Sequence, residues 1–208
     1  MANLSKFEEA LKRFFKEEDI LKIGKVKIGI AGAGGLGSNC AQALVRSGFK
    51  NFKIVDFDVI NLSNLNRQFF FDSQIDVKKI EALAENLKNI NSEIHIELFD
   101  LKISQENAKI FEDCDVIVEA FDNPECKKII VEKYMNSGKL VVAASGVAGF
   151  GNSDEIKVHK IKENFYIVGD LVSEADTDCP PLAPKVQIVA AKQADVVLSY
   201  ILERRKDL

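Results

Sequence analysis

Residues 26–37 read VKIGIAGAGGLG, an apolar run that passes directly into a turn with four glycines in six positions. The run is nearly continuous in apolar and β-branched residues, which is typical of a strand buried on both faces. Residues 37–47 then have the length and patterning of a helix. Glycines between such a strand and helix let backbone N–H groups approach a phosphate at the helix N-terminus. We expect a nucleotide site here, in preference to a purely structural turn.

The same alternation of strand and helix continues to residue 144. Strand-like apolar runs occur at residues 52–56, 94–99, 116–120 and 140–144. Stretches of helical length and patterning separate them at residues 77–89, 104–112 and 125–137. Repeated strand–helix–strand units predict a parallel sheet wound by right-handed crossovers.

The pattern changes after residue 150. Residues 156–161 alternate apolar and polar side chains, as a half-buried antiparallel strand does, and residues 164–168 could pair with them. Residues 169–184 are acidic and contain three of the four prolines, which indicates an ordered crossover loop. A last helix is predicted over residues 184–205. We therefore predict an α/β, Rossmann-like three-layer fold, mainly parallel with antiparallel strands after residue 150, as a single domain over residues 1–208.

The N-terminus predicts one amphipathic helix over residues 5–21. Its apolar side chains, Phe7, Leu11, Phe14 and Phe15, need a surface to pack on. Together with the final helix, this face suggests a homodimer.

Composition excludes several classes of protein. A net charge of −4 and a pI near 5.4 lack the basic footprint of a nucleic-acid binder. No apolar run reaches the roughly 18 residues of a membrane span, and the N-terminus lacks the apolar core of a signal peptide, so we expect a cytoplasmic protein. The four cysteines form no Cys-x-x-Cys pair, so we predict no structural zinc and no thioredoxin-type redox site.

The segment after the second strand distinguishes between nucleotides. Asp56 ends that strand, where a carboxylate accepts hydrogen bonds from ribose hydroxyls, and NAD and ATP fit it equally. A polar loop then runs from residue 56 to residue 68, and it contains Arg67, with Lys79 following. Two cations near a phosphate cradle favour a triphosphate, because they offset the charge that develops on the phosphates.

These features together resemble the adenylation domain of the ThiF/MoeB/ubiquitin-activating enzyme superfamily. The similarity covers about residues 26–202, and among its members the chain looks most like the small ThiF proteins. It is carried by GAGGLGS at 32–38, DFDV at 56–59, SNLNRQ at 63–68, a lysine shortly after, and Asp122-Asn123.

The resemblance implies roles for particular residues at the nucleotide site. Gly32, Gly34 and Gly35 would lie against the nucleotide, and Asp56 would hold the ribose. The phosphate site would be lined by Ser63, Asn64, Leu65, Asn66 and Arg67, with Arg67 neutralising charge. Lys79, or the adjacent Lys78, would bind phosphate oxygens.

The same resemblance assigns Mg²⁺ to Asp122 and loop ordering to Asn123. The residues alone leave another reading of Asp122 open, an N-cap for a helix beginning near Pro124. Lys127 stands where this superfamily usually has arginine, and it keeps the charge but loses the planar fork. Cys179, in the crossover loop, matches a position where some members use a cysteine in sulfur or acyl transfer, so we include it as a catalytic candidate.

The implied reaction is ATP-dependent adenylation of the C-terminal glycine carboxylate of a small ubiquitin-like sulfur carrier of the ThiS type, in thiamine thiazole biosynthesis. It would give an acyl-adenylate and pyrophosphate. Adenylation of a MoaD-like or other carrier remains an alternative, because these motifs contact ATP rather than the carrier. An NAD-dependent oxidoreductase and a non-catalytic scaffold are the remaining hypotheses.

Overall fold

In the part of the chain that the structure describes, the sheet has seven strands and follows the predicted winding. The structure is a computed structural model and describes residues 4–203. The strands are β1 Lys27–Ala31, β2 Asn51–Val55, β3 His95–Phe99, β4 Val116–Glu119, β5 Leu140–Ala144, β6 Lys157–Lys162 and β7 Phe165–Gly169. Their order across the sheet is β3-β2-β1-β4-β5-β7-β6.

All neighbouring strands are parallel except the last pair, so the predicted fold class is confirmed. β6 and β7 are antiparallel, and β7 joins the main sheet parallel to β5. β1 lies between β2 and β4, with Ala31 aligned to Val55 on one side and Glu119 on the other. The winding direction reverses between β1 and β4, and ligands of such sheets bind at the carboxyl ends of the strands at this point.

Helices cover both faces of the sheet. They are α1 Lys6–Leu11, α2 Glu17–Ile23, α3 Gly35–Arg46, α4 Lys79–Ile90, α5 Pro124–Tyr134 and α6 Ala183–Glu203. One apolar core joins the sheet to α3, α4 and α6, through buried side chains such as Leu44, Leu83 and Val197. A second core on the opposite face includes Phe111, Ile130 and Tyr134. These two cores give the three layers that the sequence predicts.

The prediction of one N-terminal helix over residues 5–21 is wrong, because the segment forms two helices. Ser5 caps α1 in a capping box with Glu8, whose carboxylate also accepts a hydrogen bond from Lys50 at 2.7 Å. The chain turns before Glu17, and Ile20 of α2 then becomes buried. Phe14, in the turn, is 79% exposed. The break lets α2 bury its own apolar residues.

The helix predicted over residues 104–112 is also wrong. The structure has only a 3-10 turn at Ala108–Phe111. Asn107 accepts a hydrogen bond from the Ser104 N–H at 2.8 Å and donates to the Lys102 carbonyl at 2.9 Å. Such local side-chain bonds compete with helix formation.

The final helix and the loop before it agree with the sequence pattern where the structure describes them. The loop runs from the end of β7 at Gly169 to the start of α6 at Ala183. The buried face of α6 contains Val186, Val189, Ala190, Ala194 and Val197. The predicted helix end at Arg205 lies outside the described residues. Over residues 4–203, no helix is long and apolar enough to cross a membrane.

We expect Gly37→Ala to destabilise the protein by at least about 2 kcal/mol, because overpacking against backbone cannot relax cheaply. A Cβ atom at Gly37 would lie 1.8 Å from the Gly32 carbonyl oxygen. The measurement is the free energy of unfolding from urea titration. Gly34→Ala is the matched control, since its Cβ would meet only a Gln68 side-chain atom at 3.9 Å. Equal stability of the two variants would contradict this packing.

Candidate functional site

A cavity of about 660 Å³ opens at the carboxyl edge of the sheet, where the winding reverses. Its wall on the β1 and β2 side includes Gly32, Gly34, Gly35, Leu36, Asp56 and Asp58, with Arg67, Gln68 and Lys79 beyond them. The β4 and β5 side contributes Ala120, Phe121, Asp122, Pro124, Lys127 and residues 144–148. Loops therefore bring together residues that lie far apart in the sequence.

The glycine turn forms one end of the cavity from backbone atoms. Gly34 is the N-cap of α3 and makes no side-chain cap hydrogen bond, so the first N–H groups of the helix are available to a ligand. A Cβ on Gly35 would approach Val186 Cγ1 to 3.0 Å. Gly32 has φ +103°, a left-handed conformation that favours glycine. This arrangement has the features of an anion-binding helix N-terminus.

Asp56 lines the cavity and fixes the turn. Its carboxylate accepts hydrogen bonds from the Ala33 N–H at 2.7 Å and the Asp58 N–H at 2.9 Å. Burial raises the pKa of Asp56, and these bonds oppose that shift. The sequence suggested ribose binding alone, whereas here the carboxylate also ties the end of β2 to the glycine turn.

Lys79, and not Lys78, lines the cavity. Lys79 is buried, and its ammonium donates to Asp58 Oδ2 at 2.6 Å. Lys78 instead donates to the Phe57 carbonyl and to Asp100 Oδ1, at 2.9 and 3.1 Å. An ammonium has three donors, so Lys79 keeps capacity for a ligand oxygen.

Arg67 lines the cavity beside Gly35, and its guanidinium donates to Asn66 Oδ1 at 2.7 Å. The backbone of Arg67 is held by Asn39, which donates to its carbonyl at 2.9 Å. The Arg67 guanidinium thus extends from a backbone that a hydrogen bond anchors to α3.

The rest of the predicted phosphate-site segment lies outside the cavity lining. Asn64 accepts a hydrogen bond from the Asn61 N–H at 3.0 Å and so caps the short 3-10 helix Leu62–Asn66. Leu65 packs against the main apolar core. Ser63 is exposed, and Asn66 donates to the Pro181 carbonyl at 3.4 Å. In this structure these four residues shape the loop that carries Arg67.

Gln68 is a cavity residue that sequence reasoning missed. It is only 9% exposed, and its buried Oε1 atom has no hydrogen-bond partner among residues 4–203. Buried polar groups are normally paired, so an acceptor at the cavity wall fits a ligand that brings a donor, such as a nucleotide hydroxyl or amino group. Its place at the end of the SNLNRQ segment was the available signal.

Asp122 and Asn123 have separate positions. Asn123 is the N-cap of α5, accepting hydrogen bonds from the Glu125 and Cys126 N–H groups at 3.0 Å each. Asp122 lines the cavity and does not cap the helix, because Asn123 is the N-cap of α5. Within residues 4–203, no group of three or more His, Cys, Asp or Glu side chains could hold a metal ion. One carboxylate oxygen donor at a phosphate site suits Mg²⁺, which takes few protein ligands.

A segment that we call the strap, residues 170–181, covers part of the cavity. Asp170 accepts hydrogen bonds from Lys185 at 2.8 Å and from the Val172 and Ser173 N–H groups. Burial opposes ionisation, but these donors outweigh it and lower the pKa of Asp170. At the other end, the Gly149 N–H donates to the Pro180 carbonyl at 3.0 Å. The strap is therefore fixed at both ends.

Cys179 belongs to the strap but lies outside the cavity lining. It is half-buried, and its N–H donates to Asp176 Oδ1 at 2.7 Å. Its sulfur lies close to Gly149, where a Cβ atom would come within 2.7 Å of it. The structure does not bring this thiol together with Arg67, Lys79 and Asp122.

Comparison with known proteins identifies the family. Residues 7–207 match the ThiF family. The chain belongs to that family. Among its relatives is the adenylyltransferase and sulfurtransferase UBA4 of Candida glabrata, 35% identical over 133 residues, which cover 63% of this chain and 31% of the yeast protein. The chain thus spans about a third of the length of that relative.

Other similar proteins match over more of the chain. The tRNA threonylcarbamoyladenosine dehydratase of Haemophilus influenzae is 29% identical over 198 residues, covering 92% of this chain and 71% of that protein. The crystal structure of the E. coli dehydratase, TcdA, in complex with ATP has a TM-score of 0.88 at 17% identity and covers 99% of both chains. This structural similarity confirms the fold.

We expect Lys79→Met to weaken ATP binding about tenfold or more, since a hydrogen bond to a charged group contributes about 1.5 kcal/mol or more. Lys78→Met is the matched control and should bind ATP as the unchanged protein does, because Lys78 faces Asp100 outside the cavity. Isothermal titration calorimetry measures both. A larger loss in Lys78→Met would reverse the assignment.

Proposed function

We propose that this protein uses ATP to adenylate a carboxylate, and that its substrate is the C-terminal glycine of a ThiS-type ubiquitin-fold sulfur carrier. The observation that supports this most is the meeting of four features around one cavity. These are the glycine turn, Arg67, Lys79 and Asp122. Each is a type of group that binds phosphate or the metal ion that accompanies it.

The proposed chemistry needs charge stabilisation more than proton transfer. A carboxylate is already ionised near neutral pH, so its attack on the α-phosphate requires no general base. Negative charge grows on the phosphate oxygens, where Arg67 and Lys79 would lie. Mg²⁺ held by Asp122 would supply further charge neutralisation. Asp56 and Gln68 would orient the nucleoside.

Relatives support a protein partner without naming the carrier. They include UBA4, named an adenylyltransferase and sulfurtransferase, and SUMO-activating enzyme subunit 2 of Dictyostelium discoideum, which is 36% identical over 132 residues. This chain covers 20% of the latter, so its partners are carried over only as a proposal. MoaD-like carriers stay within the same hypothesis.

A second candidate is dehydration of a modified adenosine in tRNA. It is favoured by the match to the Haemophilus dehydratase, which covers 92% of this chain. The net charge of −4 argues against it, because RNA binding normally requires a basic surface. We therefore rank the carrier substrate first, and propose a homodimer in the cytoplasm as its working form.

We expect carrier-dependent ATP–pyrophosphate exchange with a ThiS-like protein ending in Gly-Gly. MoaD-like proteins, and tRNA that carries threonylcarbamoyladenosine, serve as alternative substrates. Arg67→Ala and Asp122→Ala should nearly abolish exchange while part of the ATP affinity survives, because both act mainly on charge that develops in the transition state. Absence of exchange with every carrier would exclude the proposed function, and dehydratase activity on tRNA would establish the second candidate.

We propose that Cys179 acts after adenylation, because it is not among the strap residues that line the cavity. Its thiolate would attack the acyl carbon of the adenylate, forming a thioester and releasing AMP. Cys179→Ala should leave ATP–pyrophosphate exchange unchanged but remove the covalent carrier adduct seen by mass spectrometry. Cys126→Ala is the control, since that buried thiol donates to the Ile103 carbonyl. An adduct that persists in Cys179→Ala would show that the strap thiol is incidental.

A further inference from the structure

Glu119 and Lys127 form an ion pair at the wall of the cavity. Glu119 is the last residue of β4 and is fully buried. Lys127, in the first turn of α5, donates to the Glu119 carboxylate and to the carbonyl of Ala144, the last residue of β5, at 3.0 Å. The Lys127 ammonium therefore joins three elements, β4, β5 and α5.

The loop between these two residues carries Asp122. The other carboxylate oxygen of Glu119 accepts a hydrogen bond from the Phe121 N–H at 2.8 Å. Asn123 caps α5 immediately afterwards. The loop of residues 120–123 is thus held at its start by Glu119 and at its end by the helix that Lys127 fixes. Asp122, within this loop, lines the cavity.

We propose that Lys127 is a positioning residue, which acts through Glu119 to hold the Asp122 loop in its active geometry. The inference rests on the proposed function, because it assigns the loop a role in adenylation. The clamp itself can be tested without that reaction.

The charges favour this role over direct binding of a ligand by Lys127. Two of its three donors are committed to buried acceptors, and its charge is neutralised by a carboxylate that has no exposed surface. Burial raises the pKa of Glu119, and the Lys127 ammonium and the Phe121 N–H oppose that shift. Removing one partner of a buried pair leaves an uncompensated group, which the surrounding loop must move to accommodate.

The two partners can be changed without large changes in shape. Lys127→Met removes the ammonium, and Glu119→Gln removes the negative charge and replaces one accepting oxygen with an NH2 group that can only donate. Lys127→Arg keeps the charge. Lys128→Met is the matched control, because Lys128 is 71% exposed and, in the described part of the chain, forms an ion pair only with Glu132 on the same helix, at 3.9 Å.

The first measurement is amide hydrogen exchange on the nucleotide-free protein. Exchange at residues 120–123 should become faster in Lys127→Met and in Glu119→Gln, while the amides of α3 and the Lys128→Met protein stay unchanged. Unaltered exchange at residues 120–123 in both variants would overturn the clamp, whatever reaction the protein catalyses. Faster exchange throughout the protein would also overturn it, since it would indicate general destabilisation.

The second measurement is the kinetics of ATP–pyrophosphate exchange. Misplacing a catalytic group by about 1 Å lowers rates about 100-fold, so kcat should fall by that order in Lys127→Met with little change in KM for ATP. Lys127→Arg should restore most of kcat, and the Glu119→Gln/Lys127→Met double variant should be more active than Lys127→Met. A rise in KM with activity spared in Glu119→Gln would instead show direct nucleotide binding by Lys127. If the unchanged protein catalyses no exchange, the proposed function fails and the hydrogen-exchange result still decides the clamp.

Discussion

The structure depends on one close approach between backbone segments, in which the first turn of α3 lies against the carbonyl of Gly32 at the end of β1. No side chain fits between them at Gly37, and Gly32 in turn lies so near the Ala120 carbonyl that an added Cβ would come within 2.9 Å of it. The Asp56 carboxylate draws β2 to the same turn through Ala33. The ends of β1, β2 and β4 therefore lie close to the backbone of the glycine turn. These backbone groups shape the cavity.

Much of the fold follows from the sequence because its central strands are buried on both faces. Continuous apolar runs predict β1, β2, β4 and β5 within one or two residues at each end. The two helix predictions that are wrong concern segments in which local contacts determine the backbone conformation. Asn107 stops a helix that apolar spacing favours, and the N-terminal segment breaks so that Ile20 can be buried. The spacing of apolar residues does not reveal side-chain hydrogen bonds that compete with helix formation.

The site was predictable only in part for a similar reason. The glycine turn and Arg67 belong to contiguous motifs, so they can be read directly. The sequence marks Lys127 by its place in the motif, but its pairing with Glu119 is visible only when β4, β5 and α5 are assembled. Three lysines around the cavity are paired with carboxylates, whereas within residues 4–203 no carboxylate lies within ion-pair distance of Arg67. Its positive charge is thus the one most available to an anion among these four cations.

The junction between the strap and α6 links two regions of the cavity. Val186, one turn into α6, packs against Gly35 at the glycine turn, and the strap ends only a few residues before it. A shift of the strap that moves this helix turn would therefore also change the contact between Val186 and the glycine turn. Coupling of this kind is reciprocal: if a bound nucleotide changes the affinity for a second substrate beneath the strap, that substrate changes nucleotide affinity by the same factor. The nucleotide and the second substrate can then bind in either order, and the complex that contains both has the same stability by either route.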